Sequence, residues 1–178
     1  MHHTSDIMSS IGLTRCADVP CLRSLVPGQT LWFANLPRVV ADLDNALDPG
    51  HQNISLVPSE DGSHIEAVEI ILPGSQGVRA GDIVLLYGPP CRVDIRYSPK
   101  GANVVFQYPG LYAQLDIGGW QLNPDTRIHF IILRRLANQP PYPKSDPCAF
   151  GSSRSGVGVR STLGYAQRSW RGFTSLRQ

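Results

Sequence analysis

Charge is scarce in this chain. Of its 178 residues 17% are Asp, Glu, Lys or Arg, and the formal net charge is +2. Bulk composition therefore argues neither for nor against nucleic acid as a partner. Long apolar runs are missing as well. None approaches the roughly 18 residues that cross a bilayer, so no membrane segment is expected. The N-terminus has no basic region leading into an apolar stretch, which excludes a classical signal peptide and points to a virion or cytoplasmic location. Cysteine is sparse: Cys16, Cys21, Cys91 and Cys148 are too few and too scattered for a disulfide scaffold. Cys16 and Cys21 form C-x4-C with no second pair nearby, short of a zinc motif. Missing too are a Gly-rich phosphate loop, a nucleophile elbow and a paired-carboxylate signature. No catalytic residue, metal or cofactor is expected.

What the chain has in quantity is turn formers, 17 glycines and 15 prolines. Many turns and few long helices follow. The length fits one domain with an extra arm at one or both ends, and it suffices to bury a core.

The stretch from Gly81 to Ile117 organises the rest. It reads as strands over Asp82–Tyr87, Cys91–Tyr97, Asn103–Tyr108 and Leu111–Ile117, separated by Gly88-Pro89-Pro90, Ser98-Pro99-Lys100-Gly101 and Pro109-Gly110. In the second, Cys91, Val93, Ile95 and Tyr97 face one way and Arg92, Asp94 and Arg96 the other. That alternation marks a strand buried on one face, with Cys91 a small core residue and Asp94 part of a surface charge ladder. Further strands are expected over Gln29–Ala34, Ile54–Val57, Ile65–Leu72 and Arg127–Arg134, with Trp120–Leu122 as an edge piece. Val39, Val40, Leu43 and Leu47 recur at helical spacing, so one short amphipathic helix is expected over Arg38–Leu47. About eight strands at intervals of roughly eight to twelve residues predict an all-β, antiparallel jelly-roll sandwich or barrel.

The ends differ from this centre. Residues 1–26 show no sustained period and read as an N-terminal arm. The β domain then spans 27–138. Residues 139–178 open with a proline-rich exit that can form neither a central strand nor a helix. From Ala149 to Gln178 there are five arginines (Arg154, Arg160, Arg168, Arg171, Arg177) and no acidic residue. Arginines spaced through a Gly/Ser chain suit phosphates, and Tyr165, Trp170 and Phe173 offer stacking faces for unpaired bases. The alternative is that those aromatics anchor the arm in a protein groove.

Val78 to Val93, with Gly81-Asp82 leading through Pro89-Pro90, resembles the second conserved segment of cupins, small jelly-roll barrels that often bind metal. Cys91-Arg92 stands where that family's resemblance requires a histidine. Upstream, His64, Glu66 and Glu69 supply an imidazole and carboxylates but no third ligand at a recognisable spacing. His129 reads as a sheet histidine. In overall pattern, with an all-β core and arms at both ends, the chain also resembles small viral coat proteins. The leading expectation is a non-enzymatic, self-assembling structural subunit, a homo-oligomer whose basic arm contacts RNA or another nucleic acid. The rivals are a cupin-like ligand- or metal-binding barrel and a nucleic-acid-binding module outside any shell.

Overall fold

The computed structural model describes residues 11–17, 19–29, 53–72, 77–118, 121–135, 165–168 and 170–173. Nine strands and one helix occur among them: β1 (Leu13–Cys16), β2 (Val19–Leu22), β3 (Asn53–Pro58), β4 (Ile65–Ile71), α1 (Ala80–Tyr87), β5 (Arg92–Ser98), β6 (Gly101–Tyr108), β7 (Leu111–Gly118), β8 (Ile128–Arg134) and β9 (Tyr165–Arg168). The chain is mostly β, as expected. β1 and β2 form a hairpin, and the other seven strands make one antiparallel sheet in the order β3-β4-β8-β7-β6-β5-β9. The two packed sheets of a jelly roll are not seen among the described residues.

The register explains the core. Ile54, Ile70, Ile131, Ala113, Phe106 and Val93 lie in one row across six strands. Opposite residues share a face, so the row presents six apolar side chains to one side of the sheet. The neighbouring row, with Leu56, Val68, Leu133, Leu111 and Tyr108, does the same. This face meets α1 and the β1–β2 hairpin in one continuous apolar cluster.

The segment Asp82–Tyr87 is helix, not the expected strand. Its apolar run Ile83-Val84-Leu85-Leu86 hides a helical spacing: Ala80, Ile83, Val84 and Tyr87 turn inward, while Leu85 is 76% exposed. Both ends are closed. The Asp82 carboxylate accepts from the Arg79 backbone N–H at 2.9 Å, and the Gly88 N–H donates to the Val84 carbonyl at 2.9 Å. Gly88 ends the helix at φ +82, a conformation cheap for glycine alone. The helix start is also fastened to the β7–β8 connection, where Ala80 and Gly81 donate to Thr126 O and Pro124 O, each at 2.8 Å. That close approach favours glycine, since a Cβ at Gly81 would come 3.1 Å from Pro124 O and the connection would have to give by a few tenths of an ångström.

Three further expectations change. Residues 11–25 are not a free arm, because Ile11, Leu13, Leu22 and Leu25 are buried in the core cluster. Their hairpin is closed by a disulfide between Cys16 and Cys21, with Cα atoms 5.7 Å apart. Cys91 lies exposed just before β5 rather than in the core, and it too is disulfide-bonded. Asp94 is buried, not part of a surface ladder. The strand expected over Gln29–Ala34, beyond Gln29, and the helix expected over Arg38–Leu47 lie outside the described residues.

Candidate functional site

The C-terminal segment returns to the sheet. β9 pairs antiparallel with β5, placing Tyr165 opposite Arg96 and Arg168 opposite Val93. Trp170 then meets Phe106 edge-on, and Phe173 meets Trp170 in the same way. Both rings are half-buried against the core, and Arg171 between them is exposed. So of the residues expected to contact nucleic acid, Tyr165 and Arg168 sit at a sheet edge, Trp170 and Phe173 lie on the chain's own core, and Arg171 faces solvent. Arg154, Arg160 and Arg177 lie outside the described residues.

At the other side of the sheet β3 is the outer strand. Its inner neighbour is β4, and among the described residues no strand pairs with its outward edge. Ile54 and Leu56 pack partly against the core, whereas Ser55 is exposed. An outer strand of this kind carries a row of backbone N–H and C=O groups ready to pair with another strand. A register shift at Val57/Pro58 and Pro58 itself end that row on one side.

The loop that joins β3 to β4 holds a polar network. Asp61 accepts from Ser59 Oγ at 2.6 Å, Ser63 N at 3.0 Å and Ser63 Oγ at 2.8 Å. These bonds, the Ser59 hydroxyl foremost, hold the Asp61 carboxyl well below the usual carboxylate range. Ser63 Oγ lies 2.8 Å from His64 Nδ1, and Arg135 reaches His64 Nε2 at 3.0 Å. Nε2 thus stands between a donor, the Arg135 guanidinium, and an acceptor, the Glu66 carboxylate. Glu66 Oε2 stands 3.3 Å from Nε2 and 3.9 Å from Arg135. His64 and Glu66 do come together, as a metal pair would, but a guanidinium occupies the nitrogen that a cation would need. No group of three metal-ligating side chains occurs among the described residues.

On the face away from the core, Gln107 Nε2 donates to Asp94 Oδ2, and Arg92 Nε lies 3.5 Å from Asp94 Oδ1. Asp94 is 9% exposed and Gln107 3%. A buried carboxylate needs such partners, and here a diagonal cross-strand pair supplies them. Tyr112, next to Gln107 on β7, is half-buried, and desolvation pushes its phenol up. Sequence alternation placed Asp94 on this polar face. It carried no signal for Gln107, whose position depends on the β5–β6 register.

No protein-family model matches the chain, and no curated protein matches it. Among solved structures the chain is similar to a DUF4309 family protein (YjgB) from Bacillus subtilis subsp. subtilis str. 168, at 11% identity. That match covers 74% of this chain and 95% of the other, with a TM-score of 0.34. A likeness so slight transfers neither fold nor function. No described helix is long and apolar enough to cross a membrane.

Proposed function

We propose that the protein is a non-enzymatic, self-assembling structural subunit whose copies join through β3. The observation that carries this is the outer position of β3, with no described strand on its outward edge. Two copies related by a two-fold axis would pair β3 with β3 antiparallel and continue the sheet across the interface, an isologous contact in which the same strand serves both sides. Ser55, exposed on β3, would then lie against the partner strand. The jelly-roll form of the fold belongs to this proposal: it needs further strands from outside the described residues, such as the one expected over Gln29–Ala34. So does the coat-protein form, in which the C-terminal arginines touch nucleic acid. Exposed Arg171 supports that form, while the packing of Trp170 and Phe173 on the core removes two of its stacking faces.

Light scattering over a range of protein concentration tests the proposal. The full chain should be an oligomer, and Ser55→Lys, which sets like charges across a β3–β3 pair, should shift it to monomer with an unchanged circular dichroism spectrum. A wild-type chain that stays monomeric at all concentrations overturns the reading. So does an oligomer that Ser55→Lys leaves intact.

A further inference from the structure

Among the described residues, the non-glycine residues with positive φ all lie at the turns of the β1–β2 hairpin: Ala17 (φ +55), Arg23 (φ +48) and Ser24 (φ +71). The left-handed region crowds an L side chain, so each of the three is strained in place. Arg23 and Ser24 form the centre of a tight turn. Across it the Leu25 N–H donates to Leu22 O at 2.8 Å and the Leu22 N–H to Leu25 O at 3.1 Å. Asn and Gly are the residues that suit such a centre, and neither is present. Ala17 follows Cys16 at the other turn.

This strained unit is held by a disulfide and by burial. The bridge runs diagonally across the hairpin, since Cys16 lies opposite Val19 and Cys21 opposite Thr14. Ile11, Leu13, Leu22 and Leu25 are buried, and Tyr87 OH on α1 donates to Thr14 O at 2.8 Å. Among the described residues the hairpin shares no ladder with the seven-stranded sheet. It can therefore lift away with that sheet intact. We propose that Cys16–Cys21 is a redox latch: oxidised, it keeps the hairpin on the core, and reduced, it lets the strained turns relax and the hairpin release, uncovering apolar surface.

The two sulfurs are unequally placed, and this sets the order of the steps. Cys16 is half-buried and Cys21 fully buried, so a dithiol reductant meets Cys16 first. Its thiolate bonds to Cys16 Sγ as the Cys16–Cys21 bond breaks, and Cys21 Sγ leaves as a thiolate and takes a proton. The second thiolate of the reductant then displaces Cys16 Sγ, which is protonated in turn, and the reductant departs as its own disulfide. Two electrons and two protons pass from the dithiol to the bridge.

The test is amide hydrogen exchange on the full chain, read by mass spectrometry. The chain is first treated with oxidised glutathione, and digestion without reduction should release a peptide linking Cys16 to Cys21. Absence of that linked peptide overturns the proposal. Dithiothreitol under native conditions should then open both thiols to alkylation. Exchange in β1 and β2 should rise by about tenfold or more, the scale of the constraint that a bridge imposes, while exchange in β6 and β7 stays the same. Reoxidation should restore slow exchange. The dithiol also reaches Cys91, so Cys16→Ser/Cys21→Ser without any reductant provides the comparison and should show the same selective rise. A bridge that yields to dithiothreitol only in denaturant overturns the proposal. So does unchanged exchange of the hairpin in the double variant, and so does a rise across β6 and β7 alike, which would make the bridge a staple of the whole fold.

Discussion

The indole of Trp170 meets the ring of Phe106 edge-on, with centroids 5.2 Å apart and planes at 79°. Phe106 is fully buried in β6, so residues from near the C-terminus close the core built by the central hairpins. Phe173 backs Trp170 at 5.1 Å and 88°. Edge-to-face pairs favour this geometry because the positive ring edge meets the negative face.

Trp170→Ala should therefore lower global stability by about 2 kcal/mol, from lost burial and the lost aromatic pair. Arg171→Ala, one residue away and exposed, should change it by less than about 0.5 kcal/mol. Urea denaturation followed by circular dichroism measures both. Equal effects from the two substitutions would show that the segment does not belong to the core.

The helix α1 gives a sharper contrast. Ile83→Ala should cost about 2–5 kcal/mol because its side chain is fully buried. Leu85→Gln, at 76% exposure, should cost almost nothing. Asp82→Ala removes the acceptor for the Arg79 N–H and should cost about 1 kcal/mol. At Gly88 no atom lies within 4 Å of an added Cβ. Gly88→Ala should still cost about 1–2 kcal/mol, since φ is +82 and the penalty is conformational. A strand here would alternate, making Leu85 matter as much as Ile83.

Local pattern and long-range pairing divide what was legible. β5, β6 and β7 were readable because alternation and the turn at Pro109-Gly110 act within a few residues. The last core strand was readable from Ile131-Ile132-Leu133, all buried as expected. α1 is hard to tell from a strand because four successive apolar residues satisfy either period, and only the Asp82 cap and the Gly88 stop decide between them. β1 and β2 have four residues each, one with Pro20 inside, too short for any period. β9 was hidden for another reason. Tyr165–Arg168 sits in a Gly/Ser/Arg context, and its strand character comes from β5, far away in the chain. The outer position of β3 among the described strands was equally out of reach, because being outermost is a property of the sheet order.

Alkaline pH should unfold the protein through its tyrosines. Burial raises the phenol pKa values of Tyr87, Tyr108 and Tyr112 above the ordinary 10.0. Each favours the neutral form in the folded state, so its contribution is complete below pH 10 and is lost as pH rises through the higher folded value. The phenolate absorbance of these tyrosines should thus appear together with unfolding, not before it. Two variants separate the pair whose rings lie 6.0 Å apart. Tyr87 OH donates to Thr14 O at 2.8 Å, so Tyr87→Phe should cost about 1 kcal/mol. The Tyr108 hydroxyl is buried with no hydrogen-bond partner among the described residues, so Tyr108→Phe should be neutral or stabilising by up to about 1 kcal/mol. Destabilisation by Tyr108→Phe as large as that by Tyr87→Phe would contradict this assignment.

The basic arm allows a test that leaves the core untouched. Removing everything after Asp146 would also remove β9 and Trp170, uncovering β5 and Phe106, so loss of binding by such a chain would confuse folding with contact. Arg154, Arg160, Arg171 and Arg177 can instead be changed together to Gln, keeping Arg168 within β9. If all five arginines contact phosphates of single-stranded RNA, the slope of log K against log salt is about −3.5, at about −0.7 per phosphate neutralised. The four-fold variant should then retain a slope near −0.7 and bind far more weakly at low salt, with its denaturation curve unchanged. An unchanged slope in that variant would place any RNA contact elsewhere on the protein. Arg92, Arg96 and Arg134, on the face of the sheet away from the core, would be the next to substitute.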